Sequence, residues 1–220
     1  MDVTFKEVRD NLEIITYFNM GDKFLNAQNI NRHCIDHAVL VSQKAGVILS
    51  DLGFPKREGE LAQIAGYMHD IGNVINRRMH DVAGSCLAHS ILSKMGMPPN
   101  ELAEIMAGIG NHDERYGVPV NNVSAAVILA DKSDVRRTRV REWDTTSFDI
   151  HDRVNYSVEQ TYMEIEKDSR KIKLDLTVDG TITSIGEYFE IFLERMLMCR
   201  RAAQILNSTF ELNMNGTKII

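Results

Sequence analysis

The sequence predicts a mainly α protein: a helical bundle followed by a small C-terminal α+β appendage. Two observations predict it. Through about residue 140, apolar residues recur near the 3.6-residue helical period in successive runs separated by Gly and Pro signals. Beyond that point two stretches alternate with period two, as strands do, and precede one long helix-like run. We therefore divide the chain into a helical module over 1–140, with its core at about 30–140, and an appendage over 141–220 packed on the same domain.

In order, Val3 to Met20 reads as a helix, with Phe5, Val8, Leu12, Ile15 and Phe18 on one face and Gly21-Asp22 as a break. A longer helix runs from near Ile30 to Leu52 and ends at Gly53-Phe54-Pro55. It carries His33 and His37, four residues apart and so on one face. The third helix, about Glu58 to Asp70, begins a small-apolar run at Leu61 and ends in His69-Asp70. After a loop with Arg77 and Arg78, His80-Asp81 opens a helix of about Val82 to Met95. The next, about Glu101 to Gly110, leads into Asn111-His112-Asp113-Glu114, and Val123 to Ala130 is an apolar run ending in Asp131-Lys132. In the appendage, Val158 to Glu166 and Lys171 to Val178 read as strands, Ile185 to Leu206 as a long helix, and Phe210 to Met214 alternates again.

Composition excludes some functions. The chain has 220 residues, 44% of them hydrophobic, and a net charge of −6. That suffices for one substantial core and offers no basic face for DNA. No apolar run approaches the roughly 18 residues that span a bilayer, and the polar N-terminus does not resemble a signal peptide. Cys34, Cys86 and Cys199 are far apart, form no zinc pattern, and read as core thiols of a reducing cytoplasm.

The chemistry is in the histidines and aspartates. His-Asp occurs at residues 69, 80, 112 and 151, where chance gives roughly half an occurrence. An imidazole and a carboxylate at the end of a buried helix are costly unless satisfied, and a divalent metal satisfies both. His69-Asp70, His112 and Asp131 each close an apolar run, and His80 opens a helix. Helices ending at a shared centre bring these groups and His37 to one cavity. His89 lacks a comparable setting and reads as structural, and His151-Asp152 as solvated.

In that order the set resembles the HD-domain superfamily of metal-dependent phosphohydrolases: His37 with Val41, then Met68-His69-Asp70-Ile71-Gly72, then Leu129-Ala130-Asp131. His80 with Gly84, and His112-Asp113-Glu114, resemble the two further histidines of its binuclear subgroup. The resemblance covers about residues 30 to 140. Asn73 replaces a frequent lysine, and the paired histidines of the cyclic-dinucleotide-cleaving branch are absent. The resemblance implies a divalent transition metal, two per chain (Fe, Mn, Ni or Zn). Asp70 would bridge them, with His37, His69 and Asp131 on one ion and His80 and His112 on the other. Asp70, His80 and His112 are the implied catalytic residues. The implied activity is hydrolysis of a phosphoester or phosphoanhydride of a small molecule, a nucleotide first. Arg137, six residues after Asp131, and Lys132 are the implied phosphate contacts. Two alternatives stay open: a di-iron oxygenase similar to the myo-inositol oxygenase branch, and a non-catalytic nucleotide-sensing domain. The alternating strands of the appendage leave two alternatives open: they extend a neighbour's sheet in a homodimer, or they roof the active site.

Overall fold

A computed structural model describes residues 2–28, 35–135, 137, 140, 148 and 150–220. The expectations for His33, Cys34, the helix start near Ile30 and most of the arginine run after Val135 lie outside these residues.

The first predicted helix is two. Helix α1 (Phe5–Arg9) has a capping box between Thr4 and Glu7. Helix α2 (Leu12–Asn26) starts at Asn11, whose side chain accepts hydrogen bonds from the Glu13 and Ile14 amides. That cap, satisfying two otherwise orphaned donors, makes the real break. Gly21 and Asp22 do not end a helix, which corrects the expectation above. Gly21 lies inside α2, and a Cβ there would stand 3.1 Å from the Val74 amide nitrogen. Its glycine permits close approach rather than a turn.

Helices α3 (Ile35–Asp51) and α4 (Lys56–Met68) pack together, and a 3-10 turn, Ile71–Val74, follows α4. Helix α5 (His80–Lys94), α6 (Pro99–Gly110) and α7 (Asn122–Lys132) complete the bundle. Every residue of α7 from Val123 to Lys132 is buried, so this short helix is the bundle's axis. Cys86 is exposed, not a core thiol, because it shares the outer face of α5 with Val82, His89 and Ser93. Cys199 is buried.

The second half begins with α8 (Ile150–Ser157), which the sequence reading did not resolve. Strands β1 (Val158–Glu166) and β2 (Lys171–Val178) pair antiparallel, with Met163 opposite Leu174. Helix α9 (Ile185–Ile205) then carries the chain over to β3 (Thr209–Met214), which pairs parallel with β2, Leu174 opposite Leu212. A short β4 (Thr217–Lys218) closes the order β1-β2-β3-β4. The expected alternation holds in β2: Ile172, Leu174, Leu176 and Val178 are buried. Helix α9 packs against α7 on one side and β3 on the other, and one apolar cluster runs from the bundle through α9 to the sheet.

The tightest joint lies at the 3-10 turn. A Cβ on Gly72 would fall 1.9 Å from the His80 carbonyl oxygen and 2.6 Å from the Gly84 amide nitrogen. Both neighbours are α5 backbone, which cannot yield as a flexible side chain can. We expect Gly72→Ala to cost about 3 kcal/mol or more in thermal unfolding. Gly180→Ala, with nothing within 4 Å of the added carbon, should stay within about 0.5 kcal/mol.

Candidate metal centre

Five helix termini deliver the site. His37 comes from the first turn of α3. His69 caps the C-terminus of α4, and Asp70 leads into the 3-10 turn. His80 is the first residue of α5, entered through Met79 in the left-handed region at φ 58°. His112 follows α6, and Asp131 is in the last turn of α7. All six sequence-predicted ligands are thus brought together, and each is at most 8% exposed.

Asp70 is at the centre. Its Oδ2 lies 3.2 Å from His69 Nε2 and 3.8 Å from His37 Nε2. Its Oδ1 lies 3.1 Å from His80 Nε2 and 3.9 Å from His112 Nε2. The two oxygens of one carboxylate therefore divide four imidazoles into two pairs. Asp131 Oδ1 joins the first pair, 3.2 Å from His37 Nε2 and 3.7 Å from His69 Nε2.

The opposite edge of each ring is fixed. Nδ1 of His69, His80 and His112 lies 2.8, 3.1 and 2.6 Å from the carbonyl oxygens of Gly66, Arg77 and Ile109. A carbonyl only accepts, so each Nδ1 bears the proton and each Nε2 presents a lone pair. His37 Nδ1 lies 2.7 Å from Asp134 Oδ2, which favours the same tautomer. The lone pairs of His80 and His112 then face each other, with Nε2 atoms 3.0 Å apart. Two neutral acceptors do not hold that approach by themselves; a cation between them and Asp70 would satisfy all three. Burial, with His69 and His80 nearby, pushes His112 down to about 3 and keeps it neutral. Groups His37–His69–Asp70, His69–His112–Asp131 and Asp70–His80–His112 each place ligand atoms within 4.8 Å of one another. The donor set of imidazole nitrogens and carboxylate oxygens fits a divalent transition metal.

Above this cluster is a narrow cleft lined by Asp70, Arg77, His80, His112, Asp113, Glu114, Asp131, Lys132 and Arg195. Lys132 lies within it. Its ammonium is held between Asp131 Oδ2 at 2.8 Å and Glu114 Oε2 at 2.6 Å. Burial opposes the Lys132 charge, but the two carboxylates outweigh it and raise its pKa. Arg137 is not among the lining residues. Its guanidinium sits 4.9 Å from the Tyr156 ring centroid and 3.8 Å from Glu159. His89 and His151 are exposed.

Sequence reasoning passed over four contributors. Asn73, noted only as a departure from the usual lysine, donates from Nδ2 to Asp70 Oδ1 at 2.9 Å. Asp134 orients His37, and Glu114 holds Lys132. Arg195, on α9, reaches Glu114 through Nε at 2.9 Å. A signal for Arg195 existed: it sits three residues after Phe192 and four before Cys199, inside the apolar stripe of α9.

Residues 34–137 match the family model of the HD domain. The match spans just under half of the chain, contains all six candidate ligands, and supports placing the segment in the HD superfamily. HD domains are helical, bind divalent metals and are typically metal-dependent hydrolases of the phosphohydrolase type. No curated protein gives a significant match to the chain. Arg195 lies outside the HD segment. Among the described residues no helix is long and apolar enough to cross a membrane.

Two tests follow from the geometry. A carboxylate that orients a ligand imidazole governs affinity without touching the metal. Asp134→Ala should therefore weaken metal binding roughly 10- to 100-fold by titration calorimetry, with helix content by circular dichroism unchanged. Glu114 offers a pH test. Burial opposes its ionisation, yet Lys132 and Arg195 hold its carboxyl well below the usual range. Its stabilisation is therefore complete above an unfolded pKa of about 4.3 and is lost as pH falls toward the folded value. In metal-free protein, wild-type stability should drop between pH 4.5 and 3 by up to about 1.4 kcal/mol per unit more than that of Glu114→Gln. Parallel melting-temperature curves would contradict this.

Proposed function

We propose that the chain is a metal-dependent phosphohydrolase cleaving a phosphoester or phosphoanhydride of a small molecule, with nucleotides the first class to test. The observation that carries the reading is the division of four Nε2 atoms between the two oxygens of one buried carboxylate, beneath a cleft where Arg77, Lys132 and Arg195 stand among carboxylates. In this reading His37, His69, Asp131 and Asp70 Oδ2 hold one divalent ion. His80, His112 and Asp70 Oδ1 hold a second, so that Asp70 bridges the two.

Such ions polarise a phosphoryl oxygen and lower the pKa of water toward neutrality. The chain's own residues supply the rest. Backbone carbonyls and Asp134 hold Nδ1 of each imidazole and so direct each Nε2 toward the centre. Asn73 holds Asp70 Oδ1 in place. Asp70, His80 and His112 border the cleft, where the reacting phosphoryl group would sit, and burial of their flanks excludes bulk water from it. Lys132, held by Asp131 and Glu114, contributes its field and one remaining N–H. Arg137, paired with Tyr156 and Glu159, is the weaker phosphate contact of the two.

The first experiment is elemental analysis of the purified chain, followed by a phosphoester and nucleotide panel. About two metals per chain are expected. Asp70→Ala should lose both the metal and all hydrolysis; a variant that keeps either one contradicts the bridging assignment. Iron content with oxygen uptake on an organic substrate, and no phosphate release, would overturn the hydrolase reading.

A further inference from the structure

Within the HD segment the cations around the cleft are each tied to groups of the protein. Lys132 gives two of its three N–H donors to carboxylates within 2.8 Å. Arg115 places Nε and Nη2 on Asp113 at 2.9 and 2.7 Å. Arg77 leans toward the metal centre, with Nη1 3.3 Å from Asn73 Oδ1 and 3.5 Å from Asp70 Oδ1.

Arg195 differs. It enters from α9, the long helix after β2, which packs along α7. Its Nε donates to Glu114 Oε1 at 2.9 Å. Its guanidinium carbon lies 4.5 Å from the centroid of the Phe192 ring. These two contacts fix the plane of the group at one edge and one face. Among the described residues Nη1 and Nη2 have no hydrogen-bond partner, and the side chain is 25% exposed, toward the cleft it lines. A guanidinium anchored at Nε with a free Nη pair is a fork, and a fork matches two oxygens of a phosphoryl group better than a point charge does.

We propose that Arg195 is a phosphate-binding residue of this site: α9 delivers a pre-oriented guanidinium fork that takes two non-bridging oxygens of the substrate's phosphoryl group. Glu114 is its positioning residue, aligning Arg195 through Nε while holding Lys132 with its other oxygen. The substrate class that follows carries a terminal phosphoryl group with three free oxygens, a monoester or the end of a phosphoanhydride, so that two meet the fork and one is left for the metal centre. A phosphodiester has only two, and none is left for the metal centre when both meet the fork. The appendage is thereby part of the site and not only a cover for the bundle. This inference rests on the phosphohydrolase reading above.

The test uses the full chain loaded with Mn²⁺ and titrated with inorganic phosphate, for wild type, Arg195→Gln and Arg195→Lys. Metal content is measured on each. We expect both variants to keep their metal and to bind phosphate at least tenfold more weakly than wild type. Arg195→Lys retains the charge and an ion pair to Glu114 but not the fork, so it remains informative if Arg195→Gln fails to fold. Hydrolysis of a monoester should fall with phosphate affinity, and should fall more than any hydrolysis of a diester. Equal phosphate affinity in wild type and in either folded variant overturns the role of Arg195 and leaves the phosphohydrolase reading standing. Loss of metal in Arg195→Lys also overturns it, making the residue structural. A metal-loaded wild type that neither binds phosphate nor releases it overturns the phosphohydrolase reading, and this inference with it.

Discussion

Asp70 is 3% exposed and is surrounded by four imidazole edges. An ionised carboxylate in a protein interior costs several kcal/mol unless charge or hydrogen bonds compensate it. One hydrogen bond from Asn73 and a long approach from Arg77 do part of this. Around the rest stand the imidazoles, with Nδ1 of His69, His80 and His112 on backbone carbonyls and that of His37 on Asp134. The fold is arranged around this buried cluster of imidazoles and carboxylates. That constraint explains where helices stop. Chain α4 ends at His69, α5 begins at His80 and α7 ends just past Asp131, because helix termini project a side chain inward without continuing the backbone through the site. Gly72 is the geometric consequence: the turn that releases Asp70 must lie against the start of α5, and only a residue without a Cβ fits there.

The parts legible in the sequence share a physical cause. His69-Asp70 and Asp131 were identifiable because they terminate apolar runs, where a polar residue is conspicuous. The strand β2 was identifiable because a single buried face imposes strict alternation on Ile172, Leu174, Leu176 and Val178. The parts that were not legible depend on tertiary packing. Nothing local in Gly21 distinguishes a helix break from a close contact with the Asn73–Val74 backbone. The parallel pairing of β2 with β3 is set by α9 crossing between them, a long-range property. Arg137 was proposed from an offset in a motif, whereas its surroundings are Tyr156 and Glu159. Arg195 was overlooked because an arginine in an apolar stripe most often extends its head to solvent; here it meets Glu114, far from it in sequence.

The electrostatics of the cleft follow from the same arrangement. The chain is acidic overall, and a negatively charged substrate approaching it is repelled unless the local field reverses. Without metal, the carboxylates of Asp70, Asp131, Glu114 and Asp113 line the cleft with the cations Lys132, Arg77 and Arg195, so the side-chain charges nearly cancel. Each divalent ion added to this balance is uncompensated by any further carboxylate. Divalent ions held here would make the cleft net positive, which would couple anion binding to metal binding. A site with more carboxylate ligands and fewer imidazoles would hold metal more tightly through charge but would forfeit that excess. The choice of four neutral donors and two acidic ones is consistent with a centre that uses its metal charge on a bound anion rather than on its own ligands.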